Sequence, residues 1–288
     1  MKCKSCQRDV DLLWNCCPYC SQKLNGMKIV NVVMMICGII VFSVGSIRSV
    51  HNGINMLAIV IFEYFVINLA KSRGYSFINT LSLVAFEMFG IMVLGKIYTY
   101  LIYARSQEIK SIFNAGLGSY GALLGIITML IVYKFIFKAK TKELLYISLM
   151  PVPILYAIGK IGCLVDGCCY GIDYDGLLSI TYQNSAYAPI GEVLFPIQLV
   201  EAIVFFMIYL LNRFVYNKNK TKSMEQQLIL VVTLCAASKF ALDFLRASHD
   251  GQIISKNQII SIIVLLMTQL GRTFLTQNCH KGQTCEKT

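Results

Sequence analysis

The fold class follows from one apolar run, NAGLGSYGALLGIITMLIVYKFIFK, residues 114 to 138. A helix needs about 20 apolar residues to cross a bilayer core, and this run is longer. Similar runs lie near residues 29–47, 54–70, 78–101, 144–164, 193–215, 226–246 and 257–276. Glycines within residues 114–138 allow close helix packing; they are Gly116, Gly118, Gly121 and Gly125. We therefore predict an all-α integral membrane protein with about eight transmembrane helices.

The composition and the charge pattern agree with this fold class. Hydrophobic residues make up 56% of the 288 residues and charged residues 14%, which is too apolar for a soluble domain. Eighteen of the 26 lysines and arginines fall on one side of the predicted topology and five on the other. Cytoplasmic loops are rich in basic residues, so we predict that both termini are cytoplasmic. This asymmetry accounts for the net charge of +11. We therefore do not predict that the chain binds nucleic acid.

Two C-x2-C pairs stand before the first apolar run: Cys3 with Cys6, and Cys17 with Cys20. Four thiolates at this spacing can bind Zn2+ tetrahedrally, and about 25 residues are too few to fold without a metal. Disulfides are the alternative, but a cytoplasmic segment stays reduced. We therefore predict that residues 1–25 form a zinc ribbon with a structural Zn2+, which can also contact a cytoplasmic protein. Residues 277–288 are predicted to be a polar tail.

A second stretch, GKIGCLVDGCCYG at residues 159 to 171, puts ionisable side chains at the end of an apolar run. Such side chains are costly in a membrane and usually functional. The candidates are Lys160, Cys163, Asp166, Cys168 and Cys169. Three interpretations of the cysteines stay open: packing or a disulfide, a catalytic or acyl-accepting thiol, and a metal site. A metal site has the least support, because only His51 and His249 are predicted on the outer side.

Two further motifs carry polar residues downstream. In FPIQLVE, residues 195 to 201, Gln198 and Glu201 are three residues apart and share a helix face. In KFALDFLR, residues 239 to 246, Lys239, Asp243 and Arg246 follow a helical spacing. We predict from this spacing that one face of the seventh helix is charged near its outer end.

The motifs, in this order, resemble those of the prolipoprotein diacylglyceryl transferase family over residues 54–276. GLGSYGALLG stands where the family has His-Gly-Gly-Leu, and GKIGCLVDGCCYG resembles Gly-Arg-x-Gly-Asn-Phe-x-Asn-Gly-Glu-x-x-Gly. FPIQLVE resembles Pro-x-Gln-Leu-Tyr-Glu, and KFALDFLRASHD resembles Arg-x-x-x-Glu-Phe-x-Arg-x-x-Asp. The GCCYG sequence is typical of a divergent branch. The resemblance implies a seven-helix bundle, to which residues 29–47 add one transmembrane helix.

The resemblance also implies an activity at the outer face of the bacterial cytoplasmic membrane. The family transfers a diacylglyceryl group from phosphatidylglycerol to the thiol of a lipobox cysteine in a preprolipoprotein, without a cofactor for the transfer. Carried over by position, the catalytic residues are Tyr120, Lys160, Lys239, Asp243 and Arg246. The substrate-binding residues carried over are Gly121, Cys163, Asp166, Gly167, Cys168, Gly171, Gln198 and Glu201.

Several of these positions depart from the family pattern. Tyr120 replaces the proposed histidine base, and a tyrosine with a pKa near 10 is a weaker base at neutral pH. Lysines replace arginines at Lys160 and Lys239, and cysteines replace an asparagine and a glutamate at Cys163 and Cys168. Asp243 replaces a glutamate, and we expect it to orient Lys239. The alternative is therefore a catalytically altered paralogue that acts as a lipid-binding sensor or a membrane partner protein.

Overall fold

The computed structural model describes residues 3, 5–9, 17–20, 36, 50–103, 117–218, 224–249 and 251–280. Nearly all of them are helical. The helices are α1 Val50–Ser72, α2 Phe77–Phe89, α3 Gly95–Tyr103, α4 Ser119–Phe137, α5 Thr141–Leu149, α6 Val152–Asp166, α7 Ile197–Lys218, α8 Met224–Asp243 and α9 Lys256–His280. A π-helical turn, Gly90–Leu94, joins α2 to α3. Two short antiparallel strands, β1 Ile180–Thr181 and β2 Val193–Leu194, pair between α6 and α7.

Six helical segments are long and apolar enough to cross a membrane, which confirms an all-α, multi-pass membrane protein. They are Val50–Ser72, Phe77–Leu101, Ser119–Phe137, Thr141–Asp166, Ile197–Phe214 and Met224–Asp243, and Lys256–Leu270 is a shorter apolar helix. These segments correspond to seven of the eight predicted runs. The eighth, residues 29–47, lies outside the described residues except for Ile36.

The chain divides into two compact units. The amino-terminal unit takes its residues from Met1–Ile47 and Ile59–Ser148, and the carboxyl-terminal unit from Arg48–Ala58 and Leu149–Thr288. Helix α1 contributes residues to both units. The side chains that the sequence singled out in the last three motifs all belong to the carboxyl-terminal unit.

Glycines let the helices of the amino-terminal unit approach closely. A Cβ atom added to Gly90 would lie 2.6 Å from the carbonyl oxygen of Gly125, and one on Gly121 would meet the carbonyl oxygen of Gly95. The expectation of close packing at Gly121 and Gly125 is therefore confirmed. Tyr120 is buried in this unit on the first turn of α4.

Two local features shape the carboxyl-terminal unit near the GCCYG sequence. The predicted run 144–164 is two helices, because a turn at Met150 and Pro151 separates α5 from α6. At the end of α6, Gly167 adopts a left-handed φ of 77°, and its N–H donates to the carbonyl of Cys163. Glycine reaches this conformation at little cost. The chain can therefore turn sharply after Asp166.

The prediction that Lys239, Asp243 and Arg246 share one helix face is wrong for Arg246. Helix α8 ends at Asp243, so Arg246 lies in the segment that follows it. There Arg246 forms an antiparallel β-bridge with Gly171. Ile172 donates to the carbonyl of Leu245 at 3.2 Å on the same side of the bridge. The spacing of the charged residues could not reveal this pairing between the GCCYG segment and the residues that follow the helix.

Candidate functional site

A buried carboxylate gathers basic side chains in the carboxyl-terminal unit. Lys160 Nζ on α6 lies 2.9 Å from Glu201 Oε2 on α7. Arg246 Nη2 lies 2.5 Å from Glu201 Oε1. Glu201 is only 1% exposed, and a carboxylate at that depth is stable only when it is paired and hydrogen-bonded. The ion pairs therefore tie α6, α7 and the segment after α8 to one point.

Tyr156 completes this arrangement from the preceding turn of α6. Its hydroxyl donates to Glu201 Oε1 at 2.8 Å and accepts from Arg246 Nη2 at 3.2 Å and from Lys239 Nζ at 3.3 Å. Lys239 Nζ also lies 4.5 Å from the centre of the Tyr156 ring, close enough for a cation–π interaction. We call Tyr156, Lys160, Glu201, Lys239 and Arg246 the basic cluster.

Asp243 supports the basic cluster through Arg246. Its Oδ1 atom lies 3.7 Å from Arg246 Nε and accepts from Asn257 Nδ2 at 3.1 Å, and its Oδ2 atom accepts from the Ser255 hydroxyl. The sequence led us to expect Asp243 beside Lys239. Instead, within the described segments, its ion pair is with Arg246, because the chain turns directly after Asp243.

The basic cluster and Asp243 together carry an excess of positive charge. Three cations face two carboxylates, which leaves one net positive charge when all five groups are ionised. Lys160 is 6% and Arg246 7% exposed. A buried net charge is costly and attracts a counter-ion. A cavity of about 330 Å3 opens beside Arg246, with Phe244 and His249 in its wall, so the arrangement can receive an anionic group.

The remaining candidate substrate residues of this unit hold the segment after α6 in place. Gln198 is buried, and its Nε2 atom donates to the carbonyl of Cys168 at 3.0 Å. The carbonyl of Asp166 accepts from the Ser185 hydroxyl at 2.9 Å. A Cβ atom on Gly171 would collide with the carbonyl oxygen of Phe195. These contacts fix the backbone that pairs with Arg246.

Three thiols lie at the end of α6, and no disulfide joins the described cysteines. Cys163 is on the last turn, whereas Cys168 and Cys169 follow the cap at Gly167. Cys169 is exposed and has a left-handed φ of 55°. Hydrogen bonds from Cys163 and Cys168, and then the positive charge of Lys160, hold the pKa of Cys169 well below its usual range. The basic cluster therefore acts electrostatically on this thiol.

Tyr120 and Gly121 belong to the amino-terminal unit. Both lie at the start of α4, where Tyr120 is buried and Gly121 packs against Gly95 and Thr99. The Thr99 hydroxyl accepts the N–H of Gly118 at 3.0 Å and so anchors the turn before them.

The four ribbon cysteines lie close together. All four Sγ atoms are within 4.8 Å of one another, with 3.5 Å between Cys3 and Cys20 and 3.5 Å between Cys6 and Cys17. A tetrahedral Zn2+ with Zn–S bonds of about 2.3 Å would place its sulfurs about 3.8 Å apart. The donor set therefore fits the Zn2+ predicted for this segment.

Comparison with known proteins identifies the family of the chain. A family model described as prolipoprotein diacylglyceryl transferase matches residues 39–272, which include all five residues of the basic cluster. The chain belongs to the prolipoprotein diacylglyceryl transferase family. The family that the motifs predicted is thereby confirmed. The ribbon cysteines precede the part of the chain that matches this family.

Three relatives in the family share between 24% and 29% identity with this chain. Phosphatidylglycerol–prolipoprotein diacylglyceryl transferase 2 of Clostridium perfringens is 29% identical over 156 residues, which cover 54% of this chain and 60% of that protein. The transferase of Dehalococcoides mccartyi strain BAV1 is 28% identical over 240 residues, or 78% of this chain and 89% of that protein. That of Clostridium tetani is 24% identical over 207 residues, or 69% and 81%.

Tyr156 is the functional candidate that the sequence motifs missed in this family member. It lies in the apolar stretch PVPILYAIGK, where an aromatic residue is unremarkable. One signal was available: Tyr156 precedes Lys160 by four residues, so both occupy one helix face.

Proposed function

We propose that the chain transfers a diacylglyceryl group from phosphatidylglycerol to the thiol of a lipobox cysteine in a preprolipoprotein. Family membership supports this reaction class. The observation that carries the proposal is the convergence of Lys160, Lys239 and Arg246 on Tyr156 and Glu201 within a membrane-spanning unit. Phosphatidylglycerol has one phosphodiester with one negative charge, which complements the net charge of these residues and Asp243.

The chemistry requires a cationic site for the leaving group. The acceptor sulfur, as a thiolate, attacks the carbon of the diacylglycerol moiety that is bonded to the phosphate oxygen. A carbon–sulfur bond forms, the carbon–oxygen bond breaks, and the electron pair leaves with glycerol 1-phosphate. The phosphate changes from one negative charge to two, so cations stabilise the transition state more than the bound lipid. Lys239 and Arg246 are positioned for this role.

Glu201 keeps the cations aligned before the lipid arrives. One of its oxygens pairs with Lys160 and the other with Arg246. Only one terminal nitrogen of Arg246 is committed to Glu201, and a guanidinium has five N–H donors. The donors that remain can face the cavity lined by Arg246 and bind a phosphate.

The location of the reaction is also part of the proposal. The excess of lysine and arginine on one side supports a bacterial cytoplasmic membrane protein with both termini in the cytoplasm. The basic cluster would then lie near the outer leaflet. A structural Zn2+ held by the four ribbon cysteines would stabilise a cytoplasmic head, which can bind a protein partner there.

A complementation experiment tests the proposed function. The full chain is expressed in cells depleted of their own transferase, and a reporter lipoprotein is analysed by mass spectrometry. We expect a diacylglyceryl thioether on the lipobox cysteine with the wild-type chain and none with Lys239→Ala. Lys256→Ala is the matched control, since Lys256 is an exposed lysine at the start of α9.

The lipid-sensor alternative is favoured by one observation, the tyrosine at position 120 in place of a histidine base. It predicts that the purified chain binds phosphatidylglycerol without forming any thioether. If the reporter stays unmodified in depleted cells that express the chain, and the purified chain binds phosphatidylglycerol, the sensor function replaces the proposed transferase function.

A further inference from the structure

Three metal-ligand side chains meet beside the basic cluster. A ring nitrogen of His51 and the Sγ atoms of Cys163 and Cys168 all lie within 4.8 Å of one another. His51 is on the first turn of α1, Cys163 on the last turn of α6, and Cys168 follows the cap at Gly167. All three belong to the carboxyl-terminal unit. We call them the His-Cys-Cys site.

The imidazole of His51 is oriented toward this site. Its Nε2 atom lies 2.9 Å from Asn55 Nδ2, one turn along α1. Its Nδ1 atom is buried and has no hydrogen-bond partner among the described residues. A Cβ atom on Gly162 would lie 3.3 Å from Nδ1, so Nδ1 faces α6 next to Cys163. A buried nitrogen without a partner calls for a ligand.

The tautomer that metal binding requires is available. The oxygen and nitrogen of an asparagine amide are distinguished only by their hydrogen bonds. The structure places Asn55 Nδ2 toward Nε2. Turning this amide by 180° brings its oxygen there to accept the Nε2 proton, and Nδ1 then keeps its lone pair. A metal-bound histidine nearly always donates its second N–H in this way, which fixes the ring. Asn55 is thus placed to support the site.

The two sulfurs are held by backbone contacts that do not depend on a metal. The position of the Cys163 sulfur is set by helix α6, because Cys163 lies on its last turn. Cys168 is positioned by the left-handed turn at Gly167 and by Gln198, which donates to the Cys168 carbonyl at 3.0 Å. A side chain at Gly167 would collide with Ser185. The polypeptide therefore places both sulfurs near His51 in advance of any ligand.

We infer that His51, Cys163 and Cys168 bind a zinc ion whose fourth position is open. Two cysteines and one histidine with an open position form a known type of catalytic zinc site, and structural sites instead use four protein ligands. A tetrahedral zinc ion keeps such donors about 3.4 to 3.8 Å apart. The three donor atoms already lie within 4.8 Å of one another, so they need to close by about 1 Å at most. This second zinc site is separate from the ribbon cysteines.

The ligand for the open position follows from the neighbouring basic cluster, and this step rests on the proposed function. Cys163 lies three residues after Lys160, on the same face of α6. A thiol that coordinates zinc gives up its proton. The acceptor cysteine would bind there, release its proton to water, and attack the glycerol carbon of the lipid held by the basic cluster. The carbon–sulfur bond forms as the phosphate oxygen leaves with its electron pair.

This role explains how the reaction proceeds with a tyrosine at position 120. A histidine base is dispensable where the zinc ion deprotonates the acceptor. The substrate class at the open position is therefore a thiol, which zinc binds as its thiolate.

The zinc site is tested by metal analysis of the full chain, purified in detergent with a reductant. We expect two zinc ions per wild-type chain and one in Cys3→Ser/Cys6→Ser, which retains the His-Cys-Cys site. Adding His51→Gln or Cys168→Ser to that double variant should remove the last zinc, whereas adding Cys235→Ser should not. A zinc-free double variant, or zinc that persists without Cys168, overturns the inference.

A second measurement separates the zinc site from the proposed function. In transfer assays with phosphatidylglycerol and a lipobox peptide, His51→Gln should lose at least 100-fold in rate, and Lys239→Ala should lose transfer while it keeps its zinc. Undiminished transfer by zinc-free His51→Gln overturns the role inferred for zinc and leaves the proposed function intact. Zinc in the His-Cys-Cys site of a wild-type chain that transfers nothing overturns the proposed function instead.

Discussion

The Tyr156 hydroxyl donates a hydrogen bond of 2.8 Å to Glu201, which joins an aromatic ring on α6 to a carboxylate on α7. The same hydroxyl accepts hydrogen bonds from Lys239 and Arg246. One oxygen atom therefore connects the carboxylate to two cations from the end of α8 and beyond it. Because these groups depend on one another, changes at single positions should affect the whole basic cluster.

Removing only the hydroxyl tests this connection. Tyr156→Phe keeps the ring near Lys239 but deletes one donor and one acceptor. A hydrogen bond to a charged group contributes about 1.5 to 3 kcal/mol, so we expect transfer to fall by about 10- to 100-fold. The rate is measured with phosphatidylglycerol and a lipobox peptide. Tyr187→Phe, at an exposed tyrosine, is the control, and an equal loss in both variants would contradict a specific role for Tyr156.

Neutralising the central carboxylate should destabilise the carboxyl-terminal unit. Glu201→Gln leaves Lys160 and Arg246 buried without their shared counter-ion. Breaking one side of a buried ion pair costs about 3 to 5 kcal/mol, so the midpoint of thermal unfolding in detergent should fall. Glu192→Gln removes an exposed carboxylate of the segment after α6 and should leave the midpoint unchanged. A midpoint that does not move in Glu201→Gln would mean that the ion pairs contribute no stability.

The lysine at the end of α8 should act through its charge. Lys239→Ala removes one cation from the proposed phosphate site, and we expect the KM for phosphatidylglycerol to rise and kcat to fall. Lys239→Arg keeps the charge and should retain much more activity, since an arginine can also bind phosphate in a bidentate manner. Steady-state kinetics in mixed micelles measure both constants. Equal losses in the alanine and arginine variants would indicate a packing role instead.

Backbone pairing positions Arg246, and a glycine makes the pairing possible. In Gly171→Ala, the new Cβ atom would collide with the carbonyl oxygen of Phe195, so the β-bridge to Arg246 should be disrupted and activity lost. Gly159→Ala is the matched change, because among the described residues its Cβ atom would meet only the Asn55 side chain, at an ordinary 3.5 Å. Protease sensitivity of residues 167–196 provides a second readout. Comparable activity in the two variants would contradict the role of the bridge.

The sequence predicted the membrane helices and most of the basic cluster for physical reasons. Apolar runs of bilayer length are unambiguous, and buried ionisable residues such as Lys160 and Lys239 stand out because their cost must be offset. Glu201 was found because it shares a motif with Gln198. These signals are local in the chain, so they can be read without a structure.

What the sequence did not predict depends on contacts between distant segments. Helix α8 ends at Asp243 because the following residues pair with Gly171, which lies more than seventy residues earlier. The proximity of His51 to Cys163 arises from packing of α1 against α6, and no spacing rule encodes it. Tyr156 was missed because aromatic residues are common in apolar helices.

Reconstituted transfer by the purified full chain, with phosphatidylglycerol as donor and a lipobox peptide as acceptor, tests the proposed function most directly. Mass spectrometry of the peptide measures thioether formation, and glycerol 1-phosphate is quantified in parallel. The proposed function predicts equal amounts of both products from the wild-type chain and neither from Lys239→Ala. Lipid binding without either product, or the same yield from Lys239→Ala, would contradict it.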